Sequence, residues 1–203
     1  MTMLLRSAPP SPFGRKVSIA AAILGLSDAI RTEAADTGNA DDPVRTQNPL
    51  GKIPVLILED GTTLFDSRVI LDYLDQRAGG GHILPTDPVA RLGALRLQAL
   101  ADGILDASIL QVYEARYRPE EIRHRPWLDY QAAKVARALA ALEADLPGLS
   151  TPPDMGQIAL ACALGYQDLR FGGKWRADHP RLVAWLDRFA DAVPAFAETR
   201  VDP

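Results

Sequence analysis

The sequence predicts two domains, an α/β domain followed by an all-α helical bundle. Residues 1–80 alternate short strand patterns with helix patterns, whereas apolar residues beyond position 88 recur only at helical spacing. Between them, 79–88 combines three consecutive glycines with two prolines, which predicts a linker. The chain has 203 residues, of which 47% are hydrophobic, enough for two small cores. We therefore place the domains at 1–80 and 87–203.

Short apolar or β-branched runs predict the strands of the first domain. They lie at 3–6, 29–33, 55–58 and 63–65. Asp60-Gly61, between the last two runs, is a turn signal, so these two strands are expected to pair as a hairpin.

Two helices complete the first domain. One begins at Ser11-Pro12, because serine caps a helix and proline fits its first turn, and it ends at Gly25. The other begins at Asp66-Ser67 and has one apolar side. The resulting order is strand, helix, strand, irregular segment, strand, strand and helix, which matches a thioredoxin-like fold.

Apolar stripes predict the helices of the second domain. They run through 97–112, 128–146 and 182–193 in steps of three or four residues. The segment 158–164 is apolar on every side, so its helix is expected at the centre of the bundle. Cys162 in this segment is predicted to be a small buried residue rather than a reactive thiol.

The composition argues against several classes of protein. The net charge of −4 lacks the basic surplus of a nucleic-acid-binding protein. The three histidines are scattered without zinc-ligand spacing, so no metal is expected. The single cysteine cannot form a disulfide within the chain, which fits a reducing cytoplasm. No signal peptide is apparent, and the longest apolar run is too short to span a bilayer, so no membrane association is expected.

Four segments, taken together in this order and spacing, carry a resemblance to a known family. They are 11–17 (SPFGRKV), 48–56 (NPLGKIPVL), 65–67 (FDS) and 158–164 (IALACAL). The sequence resembles the glutathione S-transferase family, in particular its bacterial, serine-type cytosolic members. This resemblance implies a thioredoxin-like glutathione-binding domain, a helical C-terminal domain, glutathione as co-substrate and a cytoplasmic homodimer that serves in detoxification.

Ser11 is the catalytic residue that the resemblance implies. A free thiol has a pKa near ~8.5, and a hydroxyl donor at a helix N-terminus favours the thiolate. The matching serine of serine-type transferases donates to the glutathione sulfur; a plain helix cap is the alternative for Ser11, and Ser7 is a second candidate donor. Phe13 is expected in the same glutathione site. No tyrosine or cysteine lies near this strand end, which disfavours the tyrosine-type and disulfide-reducing members.

The segment around Pro54 matches the cis-proline step of the family. By the resemblance, the backbone of Ile53 pairs with the cysteinyl part of glutathione. Lys52 stands one residue earlier, where its cation would meet the glycyl carboxylate; an exposed, solvated lysine is the alternative.

Asp66 and Ser67 are expected to hold the γ-glutamyl end of glutathione. Backbone N–H groups at the start of their helix form an anion site, and the Ser67 hydroxyl adds a donor; helix capping alone is the alternative. Asp66 is one carbon shorter than the glutamate found in many family members, which weakens the expectation that it contacts the ligand amine.

The helical domain contributes further expected site residues. In related dimers an acidic side chain reaches the partner's glutathione amine, and Asp102 or Asp106 would do so here; a solvated helix face is equally compatible. Tyr113 and Tyr117 would line the pocket of the second substrate, or pack in the core or a groove. The central helix is expected to begin with a capping box formed by Asp154 and Gln157.

The expected function is conjugation of glutathione to an electrophilic small molecule. The alternative is a non-catalytic ligand-binding or regulatory protein on the same fold, because fold does not fix function. A glutaredoxin-like oxidoreductase is disfavoured, since no active-site cysteine is present. Nothing in the sequence identifies the second substrate.

Overall fold

A four-stranded mixed sheet forms the centre of the first domain. The computed structural model describes residues 2–202; Met1 and Pro203, the outer ends of the two predicted domains, lie outside this range. The strands are β1 (Met3–Ser7), β2 (Ile30–Ala34), β3 (Val55–Ile57) and β4 (Thr63–Leu64). Their order in the sheet is β2-β1-β3-β4, with β2 parallel to β1 and the other two pairings antiparallel. All four predicted strands and the hairpin are confirmed, with each strand end within one residue of its predicted position.

Three helices accompany the sheet. They are α1 (Pro12–Ile23), α2 (Val44–Gln47) and α3 (Ser67–Arg77). α1 and α3 pack against each other, and their apolar sides bury Val17 and Ile70 against Met3 and Leu5 of the sheet. Both were predicted with their caps, whereas α2 is a single turn inside the segment predicted to be irregular. The architecture confirms the predicted thioredoxin-like domain.

Up to residue 202, the second domain contains helices and no strand. It contains α4 (Pro88–Tyr117), α5 (Arg125–Ala144), α6 (Met155–Phe171), α7 (Pro180–Ala192) and α8 (Pro194–Glu198). Every residue of α6 from 155 to 164 is buried, because α1, α4 and α7 all pack around it. This confirms the predicted central helix. Gly156 allows α6 to approach α4 closely, since a Cβ there would stand 2.5 Å from the carbonyl oxygen of Ala94.

The connection between the domains is organised by one buried carboxylate. Asp75, near the end of α3, is fully buried and accepts hydrogen bonds of 2.8–2.9 Å from the backbone N–H groups of Gly81, His82 and Ile83. The segment 79–87 contains neither helix nor strand, and α4 begins at Pro88 with Asp87 as its cap. Asp75 thus replaces the regular hydrogen bonding that the glycine-rich segment lacks.

No helix within residues 2–202 combines the length and the apolar character needed to cross a bilayer.

Candidate functional site

A cavity of about 690 Å³ lies between the first domain and helices α4 and α6. Seven of the predicted glutathione-site residues line it from the first domain, and two more predicted residues line it from α4. They are Ser11, Phe13, Lys52, Ile53, Pro54, Asp66 and Ser67, with Asp106 and Tyr113 from α4. Three separate loops of the thioredoxin-like domain therefore converge on one side of the cavity, and the helical domain supplies the other.

Ser11 caps α1 and still has a hydrogen to donate. Its Oγ accepts the backbone N–H of Gly14 at 3.2 Å, which confirms the predicted cap. A serine hydroxyl carries two acceptor lone pairs and one donor. Among residues 2–202 no acceptor takes the Ser11 hydroxyl hydrogen. The capping role and a donor role toward a ligand in the cavity are therefore compatible.

Ser7, the second candidate donor, is packed against α1 at the end of β1. Its side chain is buried, and Gly14 makes room for it: a Cβ on Gly14 would stand 1.8 Å from the Ser7 Oγ. Ser7 is not among the residues that line the cavity in the described part of the chain. The glycine after Phe13 is thus required by packing at the end of β1, a requirement that the sequence pattern alone does not predict.

The loop before β3 presents an unpaired backbone to the cavity. The Ile53–Pro54 bond is cis, as predicted. Asn48 fixes the approach to it, because its side chain donates to the Lys52 carbonyl at 2.9 Å and accepts from the Leu50 N–H at 3.0 Å. Within the described chain, the Ile53 N–H and C=O have no hydrogen-bond partner. An extended ligand backbone can pair with them, and the neighbouring Lys52, an exposed residue, also lines the cavity.

The start of α3 forms the opposite edge. Asp66 is the cap of α3, accepting the Arg68 N–H at 2.8 Å, and is more than half exposed. Ser67 is buried at the first position of the helix, where its hydroxyl and the free backbone N–H groups meet the cavity. Because the Asp66 carboxylate is engaged as the cap, the groups here that are available to an anion are Ser67, the helix N-terminus and Arg68.

Asp102 is buried within its own chain, although the sequence suggested that it could reach the glutathione of a partner subunit. It is 1% exposed, and its two carboxylate oxygens accept from Lys16 Nζ at 2.5 Å and from Arg68 Nε at 2.9 Å in its own chain. A carboxylate that is buried and doubly paired within one chain cannot reach across to a partner subunit, so this expectation was wrong for Asp102. Its role is to join α1, α3 and α4 and to orient the Arg68 guanidinium beside Ser67.

Asp106, one turn further along α4, is exposed at the cavity. Partial burial of its carboxyl and the nearby Asp102 carboxylate raise the pKa of Asp106, and the cations of Arg68, Lys52 and Lys16 act in the opposite direction. Of the two acidic candidates, only Asp106 is available to a ligand or to a second subunit.

The two predicted tyrosines occupy different positions. Tyr113 lines the cavity, whereas Tyr117 does not: it is 63% exposed and its ring packs edge-on against that of Tyr113, with centroids 5.4 Å apart. The expectation that Tyr117 lines the pocket was therefore wrong. Within the helical domain, the second aromatic residue at the cavity is Tyr166, from the second half of α6. No local pattern marked it, because its position depends on how α6 packs against α4.

Two arginines of the helical domain also line the cavity. Arg116 follows Tyr113 on α4, and Arg170 follows Tyr166 on α6. Their common signal in the sequence is an arginine placed one turn after a tyrosine, a spacing that puts both on one helix face.

Cys162 is buried in α6, as predicted. Burial raises the pKa of its thiol to about 11, and the nearby cations of Arg15 and Lys16 offset this only in part. The thiol is therefore protonated at neutral pH and has no catalytic part in this site. Within residues 2–202, no cluster of three His, Cys, Asp or Glu side chains has the arrangement of a metal site.

Comparison with known proteins agrees with this geometry. Residues 10–77 match the N-terminal domain family of glutathione S-transferases, and residues 107–188 match the C-terminal domain family. The chain is 37% identical over 189 residues to the uncharacterized GST-like protein YibF of Escherichia coli K12, covering 91% of this chain and 92% of YibF.

Solved structures extend the similarity to the whole chain. A glutathione transferase family member from Pseudomonas fluorescens Pf-5, crystallised with bound glutathione, is 42% identical with a TM-score of 0.92, and all of both chains is covered. A glutathione S-transferase from Methylobacillus flagellatus KT with glutathione bound is 35% identical with a TM-score of 0.90, covering 98% of this chain and 99% of that one. The chain belongs to the glutathione S-transferase family.

Proposed function

We propose that this protein is a glutathione transferase, which holds glutathione as a thiolate in the cavity and joins it to an electrophilic small molecule. The observation that carries the proposal is the convergence of a free hydroxyl donor at Ser11, an unpaired backbone at Ile53 and an anion site at Ser67 on one cavity. The Ser11 donor suits the thiol of glutathione, the Ile53 backbone suits its cysteinyl peptide unit, and the anion site at Ser67 suits its γ-glutamyl carboxylate. The glutathione bound by the similar proteins from P. fluorescens and M. flagellatus supports the assignment.

Each end of glutathione has a complementary group in this arrangement. The γ-glutamyl carboxylate binds at Ser67 and the N-terminus of α3, where Arg68 adds a positive charge. The cysteinyl backbone pairs with Ile53, and the glycyl carboxylate lies beside Lys52. Phe13 borders the thiol position on the side of α1, where its ring also lies 5.1 Å from the Lys16 ammonium.

The chemistry required of the protein is stabilisation of the thiolate and placement of the electrophile. The Ser11 hydroxyl donates to the sulfur anion, and the N-terminus of α1 favours negative charge at the same place. Lowering a thiol pKa by ~2 units corresponds to ~2.7 kcal/mol of preferential stabilisation of the anion. The thiolate then attacks an electrophile held in the outer part of the cavity, beside Tyr113 and Tyr166.

A cytoplasmic homodimer with a role in detoxification completes the proposal. Large apolar side chains stay exposed on the first half of α4 and on α3, with Val89 and Leu92 81% and 68% exposed. An unpartnered apolar face of this kind is typical of a subunit interface. Leu100, also exposed, brings this apolar set to within six residues of Asp106 on the same helix, so a second subunit that covers Leu100 would approach the glutathione amine.

Two measurements test the function. Calorimetric titration with glutathione asks whether the site binds the tripeptide, and loss of free thiol with an activated aryl chloride asks whether bound glutathione reacts. A transferase gives saturable binding and turnover above the uncatalysed rate. Binding of glutathione without turnover, across a panel of electrophiles that includes the aryl chloride, would contradict the proposal and identify a non-catalytic binding protein. Absence of glutathione binding would contradict both the transferase and the binding protein.

A further inference from the structure

Within residues 2–202, two guanidinium groups have no acidic partner at the outer end of the cavity, the end lined by the last turns of α4 and α6. Arg116 comes from the last turn of α4 and Arg170 from the last turn of α6. Among residues 2–202, neither forms an ion pair. The nearest acidic residue along α4, Glu114, is buried and already accepts from Arg118 at 3.3 Å and from the His124 N–H at 2.9 Å.

The positive charge at this end is separate from the expected glutathione site. Asp106 lies near Arg68 and Lys52 at the inner end of the cavity, the end expected to hold glutathione. It precedes Arg116 by ten residues of α4, which is about 15 Å along the helix. At the inner end the cation Arg68 is compensated by Asp102 at 2.9 Å. Within residues 2–202 the cavity therefore has Arg68, paired with Asp102, and the unpaired Lys52 where glutathione is expected, and two further unpaired cations, Arg116 and Arg170, at the last turns of α4 and α6.

Each of the two guanidinium groups lies beside a tyrosine ring of its own helix. The Arg116 guanidinium lies 5.6 Å from the Tyr113 ring centre, and that of Arg170 lies 5.9 Å from the ring centre of Tyr166. Contacts of this type orient an arginine while leaving its outward N–H groups free. The Nε of Arg170 is shielded from solvent and has no hydrogen-bond partner in the described chain, so its guanidinium is not fully satisfied by protein groups.

We propose that the second substrate is an electrophile bearing a carboxylate remote from its reacting carbon, and that Arg116 and Arg170 bind this carboxylate. The proposal rests on the proposed function for the position of the thiolate. Arginine presents paired N–H groups that match a planar carboxylate, and Tyr113 and Tyr166 provide apolar ring surface for the body of the substrate. With the sulfur held at Ser11 and the carboxylate at the two arginines, the electrophilic carbon is directed toward the thiolate.

A matched pair of probes tests the charge requirement. The probes are 4-chloro-3-nitrobenzoate and its neutral carboxamide. In both, the thiolate forms a C–S bond at the chlorine-bearing carbon, and chloride leaves with the electron pair of the C–Cl bond. The thiol proton has been released to solvent before this step. The measured quantity is the ratio of kcat/KM for benzoate to that for benzamide, each corrected for its uncatalysed rate. Hydrogen bonds to charged groups predict a ratio on the order of 10–100 in the wild-type protein.

Substitution at the two arginines should remove this preference. In Arg116→Gln/Arg170→Gln the ratio is expected to fall by about 10-fold or more, whereas Arg137→Gln, which removes an exposed arginine on α5, keeps the wild-type ratio. Thermal melting verifies that the variants are folded. A wild-type ratio near one, or a ratio that the double substitution leaves unchanged, would overturn the proposal.

A binding measurement separates this inference from the transferase activity. The dissociation constants of S-(4-carboxybenzyl)glutathione and S-benzylglutathione are compared by calorimetry in the same variants. Tighter binding of the carboxylate ligand, lost in the double variant, supports the arginine site even if neither probe is turned over. Equal binding of both ligands, in a protein that conjugates both probes, contradicts the arginine site and leaves the transferase function intact.

Discussion

Lys16 and Asp102 form a fully buried ion pair between the two domains, with Lys16 Nζ 2.5 Å from Asp102 Oδ1 and both side chains at most 1% exposed. Lys16 lies on α1 and Asp102 on α4, 86 residues apart. Arg68 reaches the other oxygen of the same carboxylate from α3. One carboxylate therefore links the helix that carries Ser11, the helix that begins at Ser67 and the wall of the cavity.

Removing the charge of Asp102 should destabilise the protein strongly. Asp102→Asn keeps the shape of the side chain but leaves the buried Lys16 ammonium without an anion, so the free energy of unfolding is expected to fall by ~3–5 kcal/mol. Urea denaturation measures the change. Asp129→Asn, at an exposed position on α5, is the matched control and should stay within ~0.5 kcal/mol of the wild type. Equal effects of the two substitutions would show that the buried pair does not contribute as described.

The start of α6 depends on a reciprocal cap. Asp154 Oδ1 accepts the N–H groups of Gly156 and Gln157 at 2.9 Å each, and Gln157 Oε1 accepts the Asp154 N–H at 3.0 Å. Asp154→Ala should lower the free energy of unfolding by ~1–2 kcal/mol. Asp154→Asn retains an acceptor and should lose less. An unchanged denaturation midpoint in the alanine variant would exclude the cap as a source of stability.

The Cys162 thiol should be inert in the folded protein. With a pKa of about 11 its thiolate fraction at pH 7 is on the order of 10⁻⁴, and the side chain is buried. A thiol-specific disulfide reagent should label the native protein at least ~100-fold more slowly than the protein in denaturant. The Cys162→Ala variant, which has no cysteine, gives the background signal of the reagent. Rapid stoichiometric labelling of the native protein would contradict the assignment.

The exposed apolar face of α4 predicts the assembly state. If Leu92 lies in a homodimer interface, sedimentation should give twice the mass of the chain for the wild type and a single-chain mass for Leu92→Arg. Ile122→Arg alters an equally exposed apolar residue beyond the end of α4 and should remain a dimer. A wild-type protein that sediments only as a single chain at micromolar concentration would contradict the dimer.

Local signals in the sequence were sufficient for the fold and for identifying the first-domain residues that line the cavity. Ser11, Ile53 and Ser67 each stand at a helix start or a cis-proline step, which short motifs mark. Asp102 was misjudged because its environment is set by Lys16, far away in the chain, and not by its neighbours on α4. The same holds for Arg116 and Arg170, which line one cavity only because α4 packs against α6.

The titration of bound glutathione in Ser11→Ala tests the central claim most directly. The thiolate absorbance of the complex is followed against pH in the wild type, in Ser11→Ala and in Ser11→Thr, which keeps a hydroxyl and a cap. Loss of a hydrogen bond to a charged acceptor predicts that the bound thiol pKa rises by ~1–2 units in the alanine variant. The threonine variant should titrate closer to the wild type. If the alanine variant titrates at the wild-type pH while still binding glutathione, Ser11 is only a helix cap and the thiolate is held by other groups.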